Sequence, residues 1–192
     1  MTSQQVCPWP GEDLLMQHYH DTEWGFPLHD DRKLFEFLVL DAFQAGLSWR
    51  TILHKRENFR KVFDQFDEQK IAQYDEQKIN SLIEDASIIR NKAKIRATVV
   101  NAQAFLKIKD EFGTFDRYIW QFSGGQTIDH QPENISQIPA KTPESDAMSH
   151  DLQKRGFKFV GSTICYAFMQ AAGMVNDHLK GCPIRKEIHH FS

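Results

Sequence analysis

Cysteine is scarce in this 192-residue chain, with three residues in all. A small odd set argues against a disulfide framework and for a reducing compartment. No apolar run approaches the ~20 residues that cross a bilayer, and the mean hydropathy is -0.53, so no membrane partner is expected. Met1-Thr2-Ser3-Gln4-Gln5 has neither a basic start nor the apolar core of a signal segment, which makes the cytoplasm the expected location. Net positive charge is lacking as well: the formal balance is -3, which gives no bulk attraction toward a polyanion. Nowhere is a two-residue alternation of apolar and polar side chains sustained, so strands should be few or absent. These absences leave an all-α protein, large enough for one good core or for two lobes sharing a cleft.

Aromatic residues make up 12% of the chain, carried mostly by 15 Phe. Basic residues are grouped even though their total is modest. Arg50 through Lys61 holds six Lys, Arg or His side chains, and Arg90 through Arg96 holds four Lys or Arg. A local patch of that kind can serve where total charge does not.

Val6 to Pro27 mixes Cys7, Trp9, His18, Tyr19, His20 and Trp24, with a short helix expected over Leu14–Tyr19. Asp30 caps a helix that is apolar almost all round and ends near Gln44-Ala45-Gly46. Within it stands Asp41, on one face with Leu34 and Leu38. A carboxylate there turns into a pocket, caps the next helix or pairs with an arginine. Ser48 is expected to start one helix carrying Ile52, Phe59, Val62 and Phe63. The word Asp-Glu-Gln-Lys-Ile occurs at Asp67 and again at Asp75, each time as a capped helix start, and the period is too short for a solenoid. A long helix should carry Ile95, Val99, Ala102 and Phe105 and end at Gly113, with a short aromatic helix over Phe115–Phe122. Ser123 to Lys141, with Gly124-Gly125, Pro132 and Pro139, reads as a loop between segments. The tail from Pro183 is polar, with His189-His190 expected to be unstructured.

Thr142 to Gly173 reads as two helices around a glycine-bounded hairpin. Thr142 is the N-cap, Pro143 the first helical residue and Glu144 an acid in the first turn. Gly156-Phe157-Lys158-Phe159-Val160-Gly161 follows, and a second helix runs from Ser162 to a C-terminal Gly173. Gly161 and Ser162 lie where a helix opens with free N–H groups, flanked by Lys154, Arg155 and Lys158. That arrangement suits a phosphate; the same features also occur in helical proteins whose surface lysines are simply solvated. His178 and Cys182 fall four apart, on one side of a helical turn, as two ligands of a tetrahedral zinc would. Cys7 and His20 could supply the other two ligands, or all four are ordinary buried residues.

Taken together, several long words in order resemble 3-methyladenine DNA glycosylase I, a branch of the helix-hairpin-helix glycosylase superfamily. They are Tyr19-His20-Asp21, Glu23-Trp24-Gly25, Gln44-Ala45-Gly46-Leu47-Ser48-Trp49, Lys55-Arg56-Glu57-Asn58, Lys154 through Gly161, and Asn176-Asp177-His178. The match covers nearly the whole chain as one glycosylase domain. The resemblance implies a helix-hairpin-helix DNA glycosylase fold of two helical lobes with a cleft, its ends joined by a structural zinc on Cys7, His20, His178 and Cys182. It implies a pocket for an extruded base lined by Trp9, Tyr19, Asp41 and Trp49, with Met16 standing where relatives carry an aromatic. Asp41 itself stands where the family typically has Glu. Asp41, Tyr19 and Trp49 would carry the reaction, and Gly46-Leu47 would fill the gap left in the base stack. The hairpin residues Gly156, Lys158, Gly161 and Ser162, with Lys154 and Arg155, would grip phosphates. The implied activity is hydrolysis of the N-glycosidic bond of 3-methyladenine in alkylated double-stranded DNA, a step of base excision repair, by a monomer without strand cleavage. Asp177 lies where the superfamily places a catalytic Asp, or else it supports the neighbouring ligand. Two further readings remain open: a DNA-binding module without excision, and a zinc hydrolase with Asp41 as base.

Overall fold

The computed structural model describes residues 7–188. Helices dominate. α1 spans Leu14–Thr22, α2 Asp31–Gln44, α3 Trp49–Leu53, α4 Arg56–Val62, α5 Glu68–Ile71, α6 Glu76–Glu84, α7 Lys92–Phe112 and α8 Phe115–Ile119. After a loop come α9 (Pro143–Lys154), α10 (Ser162–Ala171) and α11 (Ile184–Ile188). Two-residue strands, β1 (Ile128–Asp129) and β2 (Val175–Asn176), pair in parallel.

Side-chain caps set the helix starts. Asp30, Ser48, Asp67, Asp75 and Asn91 each accept from a backbone N–H of the first turn. Thr142 forms a reciprocal capping box with Ser145 ahead of Pro143. Gly173 follows the end of α10 at φ +68, and a Cβ there would lie 2.2 Å from the Phe26 carbonyl carbon. Only glycine allows that crossing.

Two expectations change. The single helix from Ser48 is broken at His54-Lys55 into α3 and α4, and Lys55 Nζ at the break donates to the carbonyls of Ala86 and Ser87. The tail beyond Pro183, read as polar, forms α11 and packs Ile188 inside, at 1% exposure. His189-His190 lie outside the described residues. The stretch from Ser123 to Lys141 is irregular apart from β1 and a short 3-10 turn.

One continuous cluster of buried apolar side chains joins α2, α7, α8, α9 and α10. A small satellite forms around Cys7, Leu179 and Cys182. No described helix is long and apolar enough to cross a membrane.

Candidate active site

α2 is buried almost all round, so the polar residue it carries at position 41 has nowhere to go but inward. Asp41 is 2% exposed, and its buried Oδ2 has no hydrogen-bond partner among the described residues. Burial alone pushes its carboxyl well above the usual carboxylate range. It neither caps a helix nor meets an arginine. Instead it lines a cavity of about 220 Å³ with Trp9, Tyr19, Trp24, Gln44 and Trp49, closed further by Ile135, Ile138, Ala167 and Gln170. That volume lies below the ~300–1,000 Å³ of sites for drug-sized ligands and suits one flat heterocycle.

The walls are aromatic. Tyr19 meets Trp49 at 5.1 Å between ring centroids and Trp9 edge-on at 6.3 Å. The indole Nε1 atoms of Trp9 and Trp49 are both buried without a partner among the described residues. Buried polar groups are as a rule satisfied, so three orphans around one cavity mark it as built for a ligand. Burial, and then the nearby Asp41 and Glu23, hold the Tyr19 phenol well above its ordinary value, so it remains an O–H. Electron-rich rings around one carboxyl favour a cationic or donor-bearing base.

Beside the cavity, α2 ends at Ala45 and the chain turns through Gly46 (φ +79) to Leu47, which is 42% exposed. Lys94 of α7 fixes that turn, its Nζ donating to the carbonyls of Phe43 (2.9 Å) and Ala45 (2.6 Å). The hairpin between α9 and α10 is held in the same way. Asn101 donates to the Lys158 carbonyl at 3.0 Å and accepts from its N–H at 2.8 Å. Gly161 caps α10 with no side chain over the first-turn N–H groups, while Gly156 takes φ +98.

The structure corrects some expectations. Met16 is packed in the core and is not part of the cavity wall. Arg155 is committed: its guanidinium pairs with Glu111 and Asp151 and lies over Phe112 and Tyr118. Hydrogen bonds from Ser162 and Lys141 hold the Asp146 carboxyl low, so the Ser162 hydroxyl is engaged by an acid. The basic run from Arg50 to Lys61 is largely neutralised, with Arg50 and His54 on Asp13, Arg56 on Glu23 and Arg60 on Glu36 and Glu57. Lys154 and Lys158 remain as exposed cations beside the hairpin. Asp177 is fully buried and bonds to Tyr166, Gln170 and His130, outside the cavity wall. Sequence reasoning missed Asn101, Lys94 and the walls supplied by Gln44, Trp24 and α10. The only signal for Ala167 and Gln170 was their three-residue spacing on one helix face.

Cys7, His20, His178 and Cys182 converge from the two ends of the chain, all buried, with ligand atoms within 4.8 Å of one another. Cys182 Sγ lies 3.7 Å from His20 Nε2 and 3.5 Å from His178 Nδ1, and Cys7 Sγ lies 3.9 Å from His178 Nδ1. A tetrahedral zinc with bonds of ~2.0–2.3 Å needs donors about 3.3–3.8 Å apart. The other ring nitrogens are taken: His20 Nδ1 by Asp21 at 2.6 Å and His178 Nε2 by the Trp24 carbonyl at 2.8 Å. Such partners orient metal-binding histidines. Hydrogen bonding from the Cys7 thiol, with the two histidines, holds the Cys182 sulfur far below the ordinary thiol range, toward the thiolate a metal requires. The donor set fits a metal.

Comparison with known proteins agrees with this geometry. The DNA-3-methyladenine glycosylase 1 of Escherichia coli (strain K12) is 49% identical over 176 residues, covering 92% of this chain and 94% of that protein. A structure of 3-methyladenine DNA glycosylase I from Staphylococcus aureus, determined for 3-methyladenine recognition, superposes with a TM-score of 0.91. It is 36% identical and covers 95% of this chain and 97% of that one. A tyrosine-to-phenylalanine variant of 3-methyladenine DNA glycosylase I in complex with 3-methyladenine also reaches a TM-score of 0.91, at 36% identity over 94% of this chain and 97% of that one. The family model for methyladenine glycosylase matches residues 9–186, and with relatives this similar over nearly their whole length, the chain belongs to the methyladenine glycosylase family.

Proposed function

We propose that this protein is a monofunctional DNA glycosylase of base excision repair, hydrolysing the N-glycosidic bond of 3-methyladenine turned out of alkylated double-stranded DNA. The observation that carries it is the unpartnered Asp41 carboxyl inside an aromatic cavity of single-base size. A base within the duplex is out of reach, so it is rotated out at a cost of a few kcal/mol. Stacking on aromatic rings such as Trp9 and Trp49 returns on the order of 1–3 kcal/mol per base. N3-methylation makes the purine cationic, so it departs with the bonding electron pair as a neutral base while water adds to the sugar carbon and a proton leaves to solvent. Asp41, Tyr19 and Trp49 favour the charged base over normal adenine. No lysine lines the cavity among the described residues, and Lys94 is occupied by backbone carbonyls, which supports hydrolysis without strand cleavage.

Leu47 on its fixed turn fills the space left in the stack. The α9–α10 pair serves as the helix-hairpin-helix grip, in which Gly156, Lys158 and the open N–H groups at Gly161-Ser162 hold backbone phosphates, with Lys154 adding charge. In this reading the chain is one glycosylase domain of two helical lobes around the base cleft. It acts as a monomer in the cytoplasm, where its three thiols stay reduced. Zinc would be held by Cys7, His20, His178 and Cys182, closed by four protein donors and therefore structural. Asp41 lies in a different set of side chains from these ligands, which argues against a zinc hydrolase. Release of free 3-methyladenine from methylated duplex DNA, without strand scission, is the test. A protein that binds such DNA and releases no base would refute the reading in favour of a binding module.

A further inference from the structure

α10 presents Ala167 and Gln170, three residues apart, to the base cavity. The Gln170 side chain is not free to turn. Its Nε2 donates to Asp177 Oδ2 at 2.7 Å. That carboxylate is fully buried and already holds other donors: the Tyr166 hydroxyl on Oδ2 at 2.5 Å and His130 Nδ1 2.8 Å from Oδ1. Reversing the amide would set Oε1 against a carboxylate oxygen, acceptor against acceptor. The Gln170 backbone is pinned too, its carbonyl accepting from Gly25 N–H at 2.9 Å. The end left over is Oε1, and no donor from the described residues meets it.

We propose that Gln170 is a specificity-determining residue: its Oε1 accepts a hydrogen bond from the exocyclic amine of the base in the cavity. Asp177 is the positioning residue that decides which end of the amide faces the base. This inference rests on the excision reading above. A 6-amino purine offers a donor at that edge, whereas a 6-oxo purine offers an acceptor. Asp41 and Gln170 present two acceptors to one small cavity, so an adenine-type edge is satisfied there and a guanine-type edge brings a third acceptor. A site built to bond one polar group rejects an analogue that lacks it far better than an apolar wall does. The Gln170–Asp177 bond also gives Asp177 a purpose without any contact to the reacting atoms.

The test is the ratio of 3-methyladenine to 3-methylguanine released from methylated duplex DNA, at enzyme excess, by the unsubstituted protein and by Gln170→Met. Methionine keeps the length of the side chain and removes the acceptor. The ratio should fall roughly fivefold to tenfold, through slower release of 3-methyladenine and faster release of 3-methylguanine, which no longer meets a third acceptor. Gln170→Leu provides the same comparison if the methionine variant does not fold. Inhibition by free 3-methyladenine and free 3-methylhypoxanthine gives a second readout: the unsubstituted protein should prefer the amine, and both variants should lose that preference. A parallel fall for both damaged bases, or an unchanged ratio, overturns the inference and leaves the excision reading standing. No release of either base by the unsubstituted protein overturns the excision reading and this inference with it.

Discussion

Asp41→Asn separates what the carboxyl does for the site from what it costs the fold. The side chain is 2% exposed, its Oδ2 has no partner, and burial raises its proton affinity. Asparagine keeps the shape and removes the ionisation. The folded carboxyl titrates above the unfolded one, so between the ordinary value of about 3.9 and the raised folded value the native state holds more protons. Stability contributed by this group therefore falls as pH rises through that window. Below the window the two proteins should melt together. Above it the Asn protein should be more stable by about 1–3 kcal/mol, because the aspartate is then a buried charge without a partner while the amide stays neutral. At ~2–4 °C per kcal/mol for a chain of this size, the gain above the window is roughly 2–12 °C in Tm. Excision should move the other way. Losing the carboxyl's hydrogen bond to the cationic base, worth ~1.5–3 kcal/mol, slows release of 3-methyladenine by about tenfold to a hundredfold. Thermal scans of both proteins over a pH series that starts below about 3.9, with base release at neutral pH, read both effects. A Tm gap independent of pH, or one that grows in favour of the unsubstituted protein as pH rises, would refute the reasoning.

The remaining predictions concern the grip, the crossing and the metal. Lys158→Ala should weaken binding to duplex DNA of any sequence and reduce the salt slope of log K by about one. Arg155→Ala, with its guanidinium already on Glu111 and Asp151, should lower Tm and leave the slope alone; filter binding across a salt series distinguishes them. Gly173→Ala places a Cβ 2.2 Å from the Phe26 carbonyl carbon at φ +68, so a loss of at least ~2 kcal/mol, about 4–8 °C, is expected by calorimetry. The purified protein should hold one zinc per chain by elemental analysis. Stripping a metal present at ~1,000 times its Kd removes about 4 kcal/mol, or roughly 8–16 °C of Tm; an unchanged melt after chelation counts against a structural ion.

What was legible in the sequence was local. Asp30, Asp67, Asp75 and Thr142 announce helix starts because a short side-chain acceptor satisfies N–H groups within three residues of itself, and those caps form as expected. Asp41 stood out because a carboxylate among Leu34, Leu38 and Phe43 needs a reason. The failures are all distant. Nothing near Lys55 says that its side chain will reach the carbonyls of Ala86 and Ser87. The ion pairs that occupy Arg56 and Arg155 join residues 33 and 44 positions apart, so a basic run in sequence was no guide to free charge on the surface. Likewise Val175 pairs with Ile128 across a loop, and no alternation marks two-residue strands.

The proposed metal and the base cavity share a wall, which explains why a damage-recognition site would depend on the two chain ends. Trp24 lies against His178 at 4.6 Å between centroids, and Trp9 meets His20 edge-on at 5.5 Å and Trp24 at 5.0 Å. Both tryptophans line the cavity. Trp9 lies two residues past Cys7 and outside every described helix, held by ring contacts to Tyr19, His20 and Trp24. A metal on Cys7 and His20 would fix the segment that carries Trp9 to the start of the fold, while His178 and Cys182 fix it to the end. Gly25 enforces the same contact from the other side: at φ +83 it brings the backbone so close that a Cβ would lie 3.0 Å from the His178 ring. The ion would thus act on catalysis without touching substrate, by holding one indole wall at stacking distance. Loss of metal should then weaken binding of free 3-methyladenine at temperatures well below the melt. If the stripped protein binds the free base as tightly as the loaded one while still folded, the wall is held by packing alone.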